Sequence, residues 1–333
     1  MVQVFTKLYA NFTMEDMAMI TILQFLLAIT ADWYTLVLTF VVFLFFFPVV
    51  YLILVYAVAV FLYAYKIRRR GQFKDKGSCS TNFWNSARLS VCTFINLLAK
   101  YWHAHDVVGL ENIPDRGPAL IAIYHGTLPL DAYYILAKLQ LSKRRRLKIV
   151  VDHFVFKLPG LKCLLDVFGC FTGPSSECIN TLKKGHLLAV YPGGVREALF
   201  ANDQYSLEWN KRVGFAKVAL AAKVPIVPTF TSNCRECFKV VQTGKGLLRW
   251  IYEKTKIPLV LYYGGFPVKM RTYFGPRIEY DPNRTPEELA ALTSEMLTKM
   301  IEEHQRLPGS VIGGLKDRWM LMLKPLDVRE TLK

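Results

Sequence analysis

The chain has 333 residues, 53% of them hydrophobic, with 42 Lys and Arg against 26 Asp and Glu for a formal charge of +16. That length carries one core of roughly 200–250 residues plus a membrane segment, and the apolar excess over the usual ~45–50% sits near the N-terminus, which sets aside disordered and low-complexity classes. So basic a chain seeks anions, but it has no zinc-finger, recognition-helix or aromatic–glycine RNA-binding pattern; nucleic acid is excluded, and anionic lipid or a phosphate-bearing substrate is left.

The first feature in chain order is the apolar run Met17 to Ala31, bounded by Asp16 and Asp32. As a helix it measures ~22 Å, short of a ~30 Å hydrocarbon core, so it is expected to lie in the interface. The opening residues lack a basic n-region and a small-residue cleavage site, so no cleaved leader is expected. Asn11-Phe12-Thr13 is a glycosylation sequon, usable only with a lumenal N-terminus. From Trp33 to Tyr65 there is no charge, and a helix of that length is ~50 Å, more than one perpendicular span. It predicts either one long tilted helix or a hairpin bending near Pro48. Lys66, Arg68, Arg69, Arg70, Lys74 and Lys76 follow, as at the cytoplasmic end of a membrane helix, so the rest is expected to face the cytosol. The seven cysteines, Cys79, Cys92, Cys163, Cys170, Cys178, Cys234 and Cys237, are scattered and odd in number, which fits reduced thiols. Cys234-x-x-Cys237 has no second pair or histidine partners, and we read it as incidental.

Residues 77–118 read as an amphipathic helix and then loop. Ala119–Tyr124, Leu147–Val151, Leu187–Tyr191, Ile226–Phe230 and Met270–Phe274 read as strands. Helical stretches fall at Asp131–Leu141 and near 160–168, 175–184 and 208–223. Strands alternating with helices predict an α/β fold, a largely parallel central sheet flanked by helices, behind an N-terminal membrane helix or helical hairpin. Thr285-Pro286-Glu287-Glu288 is a capping box with Pro at the first helical position. Leu289, Leu292, Met296, Met300 and Ile301 then share one scaffold face. Beyond Gly309 the pattern fixes nothing.

The C-terminal ends of parallel strands carry the chemistry of such folds. His125 follows the first of these strands, and Asp131 lies six residues on. Six residues are about 240° apart on a helix, so the two meet only if His125 is in the loop and Asp131 in the first helical turn, and Gly126 and Pro129 supply that break. The imidazole would take a proton while the carboxylate holds the other ring N–H. A satisfied loop histidine beside a helix-start aspartate has the same spacing. After a later strand comes Tyr191-Pro192-Gly193-Gly194-Val195-Arg196-Glu197. Its glycines let backbone amides approach an oxyanion, carbonyl or phosphate, and Arg196 adds a donor fork; a tight strand–helix turn with a surface Arg–Glu pair reads equally well. His153, beside Asp152 at a strand end, is a lesser candidate. His103, His105, His186 and His304 read as structural or exposed.

In this order, His125 with Asp131, Pro192-Gly193-Gly194 with Arg196-Glu197, and Val224-Pro225-Ile226-Val227-Pro228 resemble the motif blocks of the glycerolipid acyltransferase superfamily. Gly275-Pro276 before Ile278 resembles its closing element, and Lys211 to Ala219 the helix after its third block. The resemblance covers residues 95–305 and is closest to the diacylglycerol acyltransferase 2 group. It implies a membrane-bound O-acyltransferase with an anchoring region at 1–76, the acyltransferase domain at 77–309 and a tail at 310–333. It implies His125 as base, Asp131 as its partner, and Gly193, Gly194, Arg196 and Glu197 at the substrate. Acyl-CoA or another acyl lipid would be co-substrate, with no resident cofactor or metal. Partners would be membrane lipids and a glycerolipid acceptor, at the endoplasmic reticulum membrane with the domain facing the cytosol. No Gly-x-Ser-x-Gly elbow is present, so transfer would be direct.

Three departures stand out. Five residues separate His125 from Asp131 where the superfamily has four. Gly169-Cys170-Phe171-Thr172-Gly173-Pro174 lacks the second block's Arg. The third block reads Pro-Gly-Gly rather than Pro-Glu-Gly, with Glu197 further on. Without that Arg a neutral acceptor such as diacylglycerol fits better than a phosphorylated one. Arg196 keeps a lysophospholipid or glycerol-phosphate acceptor open, and a catalytically silent lipid-binding protein is the reading from another class.

Overall fold

The computed structural model describes residues 14–68, 84–209, 211–241, 245–255 and 261–323. Helix α1, Met14–Arg68, is one continuous helix of 55 residues, a rod of roughly 80 Å. The short apolar run and the long charge-free run therefore join end to end, and the hairpin at Pro48 does not form. Within α1, Val49–Arg68 is long and apolar enough to cross a membrane, and Asp32–Val42 is a shorter apolar stretch. The sequon, Arg69, Arg70, Lys74, Lys76 and Cys79 lie outside the described residues.

The last turns of α1 pack on the domain through buried Ala59 and Leu62. Tyr51 meets Phe238 at 6.2 Å between ring centroids, and Tyr65 meets Trp84 at 5.9 Å. Helix α2, Asn85–His103, follows and ends at Ala104, whose left-handed φ of 44° stops the helix.

The central sheet has seven strands: β1 Asp106–Val108, β2 Ala119–Ile123, β3 Leu147–Val150, β4 Cys170–Phe171, β5 Leu187–Val190, β6 Ile226–Ser232 and, last in the chain, β9 Arg271–Phe274. Its order is β1-β9-β6-β2-β5-β3-β4. Strands β2 to β6 run parallel; β9 is antiparallel to β6, and β1 is parallel to β9. A separate hairpin pairs β7 Phe238–Val240 with β8 Tyr262–Gly264. Side chains alternate across a strand, so β2 feeds both faces. Leu120 and Ala122 join one core cluster, while Ala119, Ile121 and Ile123 join the other. A strand buried on both faces has to be apolar throughout, and all five β2 residues are.

Helices α3 Leu130–Ser142, α4 His153–Phe156, α5 Lys162–Phe168, α6 Ser175–Lys183, α7 Gly194–Phe200 and α8 Gly214–Ala222 connect the parallel strands. The helix expected over 208–223 shrinks to α8. Residues before it are drawn toward the centre of the sheet edge: the Glu208 N–H donates to Glu197 Oε1 at 3.3 Å, and Arg212 donates to the Gly193 carbonyl at 2.9 Å. Helix α9, Lys245–Thr255, lies between β7 and β8. Beyond Gly309, α11, Val311–Leu323, forms a helix that docks on the domain, where the Gly314 carbonyl accepts the Lys269 N–H at 3.1 Å.

Helix α10, Pro286–His304, has the expected capping box: Glu288 N–H donates to Thr285 Oγ1 at 3.2 Å and Thr285 N–H to Glu288 Oε2 at 2.8 Å. Leu289, Met300 and Ile301 are buried, with Leu292 and Met296 packed at the margin. Thr285→Ala should remove about 1 kcal/mol; thermal unfolding of the purified chain is expected to shift down by a few degrees, and an unchanged midpoint would show that this helix end does not need its cap.

Candidate active site

Strand β2 stays apolar to Tyr124, and His125 is the first residue past it, at the C-terminal edge of the sheet. Its peptide is held from two sides. The backbone N–H donates to Glu197 Oε2 at 2.9 Å, and the carbonyl accepts a longer contact from Arg235 Nη1 at 3.5 Å. Ring Nδ1 lies 2.7 Å from the Gly126 carbonyl. A carbonyl only accepts, so Nδ1 carries the proton and Nε2 keeps its lone pair. Gly126 has to lack a side chain, since a Cβ there would lie 2.9 Å from the Cys234 carbonyl oxygen. Burial pushes the imidazole pKa down to about 4, with the charge of Arg235 acting the same way and the Gly126 bond opposing. The ring is neutral near pH 7.

Glu197, Gly193, Gly194 and Arg196 form the second part. The Glu197 side chain is fully buried. Oε2 holds the His125 amide and Oε1 the Glu208 amide. Burial raises its pKa to about 7, against those two amides and the Arg235 charge. Gly193 makes room for it: a Cβ on Gly193 would sit 2.4 Å from Glu197 Cβ. Gly194 has a φ of 57°, a conformation glycine adopts without strain, and its amide donates to the Tyr191 carbonyl at 3.0 Å. That amide is thus spent on the turn. Arg196 is paired with α9: its Nη2 lies 2.6 and 2.7 Å from the two carboxylate oxygens of Glu253.

Asp131 sits in the first turn of α3 and is fully buried. It makes no hydrogen bond to His125; Nδ1 is taken by Gly126. Tyr191 stands between the two. Its ring lies 4.3 Å from the His125 ring, and its hydroxyl donates to Asp131 Oδ1 over 3.4 Å. Asp131 Oδ2 is buried with no partner in the described structure. Burial raises the Asp131 pKa to about 7, against nearby amides and the Tyr191 hydroxyl. The expected direct His125–Asp131 hydrogen bond is therefore absent, and Tyr191 lies between the two side chains.

Two residues here had no role in the sequence reading. Tyr191 was visible as the end of a strand and the opening residue of the glycine block, with no role of its own. Arg235 is a buried guanidinium that donates to the carbonyls of Glu197 at 3.1 Å and Ala201 at 2.8 Å, closing the C-terminus of α7. Its one signal was a charge inside Asn233-Cys234-Arg235-Glu236-Cys237, directly after a buried strand. Cys234 and Cys237 are buried free thiols, and Cys237 Sγ donates to the Cys234 carbonyl at 3.1 Å. His153 is exposed at the start of α4, while His103 is buried with Nδ1 2.7 Å from the Tyr134 hydroxyl.

At the start of α3 opens an apolar groove with walls of Tyr51, Leu54 and Val58 from α1 and Phe94 and Leu98 from α2; its floor includes Leu130 and Tyr133 of α3. It adjoins the turn that carries Asp131 through Leu130 and Tyr133.

A carboxyl with a raised pKa binds its proton more tightly folded than unfolded. For Asp131 that stability is present below its ordinary 3.8 and is lost as pH rises toward about 7. Asp131→Asn, which cannot ionise, should therefore gain stability relative to the parent as pH goes from 5 to 8. Thermal unfolding across that range checks it; a difference that does not grow with pH contradicts the burial of a carboxyl here.

The Acyltransferase family profile matches residues 104–232. A Bos taurus protein named "DGAT1/2-independent enzyme synthesizing storage lipids" is 47% identical over 272 residues, 82% of this chain and 80% of its own length. The Homo sapiens protein of the same name is also 47% identical over 272 residues, 82% of each chain. A crystal structure of the 1-acyl-sn-glycerophosphate acyltransferase PlsC from Thermotoga maritima aligns over 76% of this chain and 96% of its own, at 21% identity and a TM-score of 0.46. On the extent and identity of the sequence matches, the chain belongs to the glycerolipid acyltransferase superfamily and is an acyltransferase.

Proposed function

We propose that the chain is a membrane-bound O-acyltransferase that esterifies a neutral glycerolipid hydroxyl, diacylglycerol to triacylglycerol or a closely related step, with His125 as general base. The observation that carries this is the neutral imidazole whose Nδ1–H is fixed on Gly126, leaving the Nε2 lone pair as a base at the C-terminal edge of the sheet; an apolar groove opens further along, at Leu130 and Tyr133 in the first turn of α3. The acceptor hydroxyl hydrogen-bonds to Nε2. As its oxygen attacks the acyl carbonyl, the proton passes to Nε2, and the tetrahedral oxyanion collapses with loss of the donor's thiolate or alkoxide, which takes that proton back. The Gly193 amide is the remaining backbone donor of the glycine pair for the oxyanion. Asp131 acts on the imidazolium through Tyr191, as a buried negative charge rather than as a direct partner. The groove takes the acyl chain, and the donor is acyl-CoA or another acyl lipid.

A neutral acceptor is favoured because Arg196 is already paired with Glu253 and the second block has no Arg. The relatives' name, which speaks of storage lipids, points the same way. α1 holds the enzyme in the endoplasmic reticulum membrane with the domain on the cytosolic side.

His125→Ala should lower ester formation by ~10²–10⁴ with expression and membrane location intact. Diacylglycerol, monoacylglycerol and lysophosphatidate offered in parallel to purified enzyme should rank with diacylglycerol first. Full activity in the variant would remove His125 from the chemistry, and a preference for lysophosphatidate would move the protein to the phosphorylated-acceptor class.

A further inference from the structure

Two helices outside the catalytic edge show apolar faces where water-facing helices would be polar. On α2, Phe94, Leu97 and Tyr101 are exposed, Tyr101 by 69%; on α11, Ile312, Trp319 and Met320 are exposed, Trp319 by 68%. These faces are neighbours. Arg318 of α11 donates to the carbonyls of Trp102 at 2.5 Å and Tyr101 at 2.6 Å, which ties α11 to the end of α2.

The strip is continuous with α1. Tyr65 meets Trp84 just before α2, while Tyr51 and Leu54 share the groove wall with Phe94 and Leu98. The two helices therefore run antiparallel, and Tyr101 lies toward the N-terminal, charge-free part of α1. Phe94 belongs to both the strip and the groove. Cations frame the surface: Lys100 lies 6.0 Å from the Tyr101 ring, and Lys316 is exposed beside Arg318.

We propose that α11 is a second membrane-contact element. Its Ile312, Trp319 and Met320 face, joined to Leu97 and Tyr101, beds into the headgroup region of the bilayer that α1 enters, and this sets the mouth of the groove at lipid depth. The occupant is a bilayer because the strip continues a helix whose outer face is itself apolar, with Leu52, Ile53, Val60 and Phe61 exposed. Tryptophan and tyrosine favour the membrane interface, and flanking lysines and arginines pair with anionic headgroups. The proposal rests on the membrane reading of α1 and adds the route by which lipid reaches the groove.

The test uses the full chain in vesicles of phosphatidylcholine with a minority of phosphatidylserine, the acyl chains brominated close to the glycerol. Trp319→Phe should remove part of the bromine-quenchable tryptophan emission, as should Trp33→Phe on α1. Quenching reduced by Trp33→Phe but not by Trp319→Phe overturns the α11 contact and leaves α1 in the membrane. No reduction from either overturns the membrane reading as well. Trp319→Glu should lower kcat/KM on vesicle-borne diacylglycerol about tenfold, with a dispersed short-chain acceptor turned over at the parent rate. Equal loss on both acceptors, or self-association through this face without quenching, also overturns the proposal.

Discussion

The site depends on one buried carboxylate accepting one backbone amide. Glu197 Oε2 holds the His125 N–H just where β2 ends, and a loop residue held there by its main chain cannot drift with its side chain. Arg235 completes the clamp from the carbonyl side and closes α7, the helix that carries Glu197. Imidazole, carboxylate and guanidinium thus come from three segments that meet at the C-terminal edge of a parallel sheet. Each needs the others: an unpaired charge this deep would cost several kcal/mol.

The electrostatics follow from burial. It drives the His125 pKa down and those of Asp131 and Glu197 up, so every one of the three is pushed toward its neutral form. For the proposed role of His125 as a base that accepts a proton from an alcohol, a neutral ground state is the useful one. The carboxyls near it are held close to the point of ionisation, where the arrival of an imidazolium would favour their charged form. Tyr191 lies between His125 and Asp131, its ring tilted 42° against that of His125 and its hydroxyl donating to Asp131 Oδ1.

Much of the scaffold was legible. The runs at Ala119, Leu147, Leu187 and Ile226 became β2, β3, β5 and β6 within a residue or two; β2 and β5, buried on both faces, are apolar at every position. β1, β4, β7 and β8 were not legible: at two or three residues they have no period to read. The site was half legible. His125 and the glycine block were visible because chemistry and turn geometry restrict residue type locally. Arg235 was not, since its acceptors lie 34 to 110 residues away. The His125–Asp131 pair was expected from spacing, but spacing says only that two residues can approach. It does not show that Gly126 offers the ring a nearer acceptor.

The central claim is that His125 rests neutral with its proton on Nδ1 and its lone pair on Nε2. Nitrogen-15 spectra of histidine-labelled enzyme at neutral pH, with His125 assigned from the spectrum of His125→Asn, report that state directly. The account predicts a neutral ring protonated at Nδ1. An imidazolium, or a ring protonated at Nε2, would contradict it.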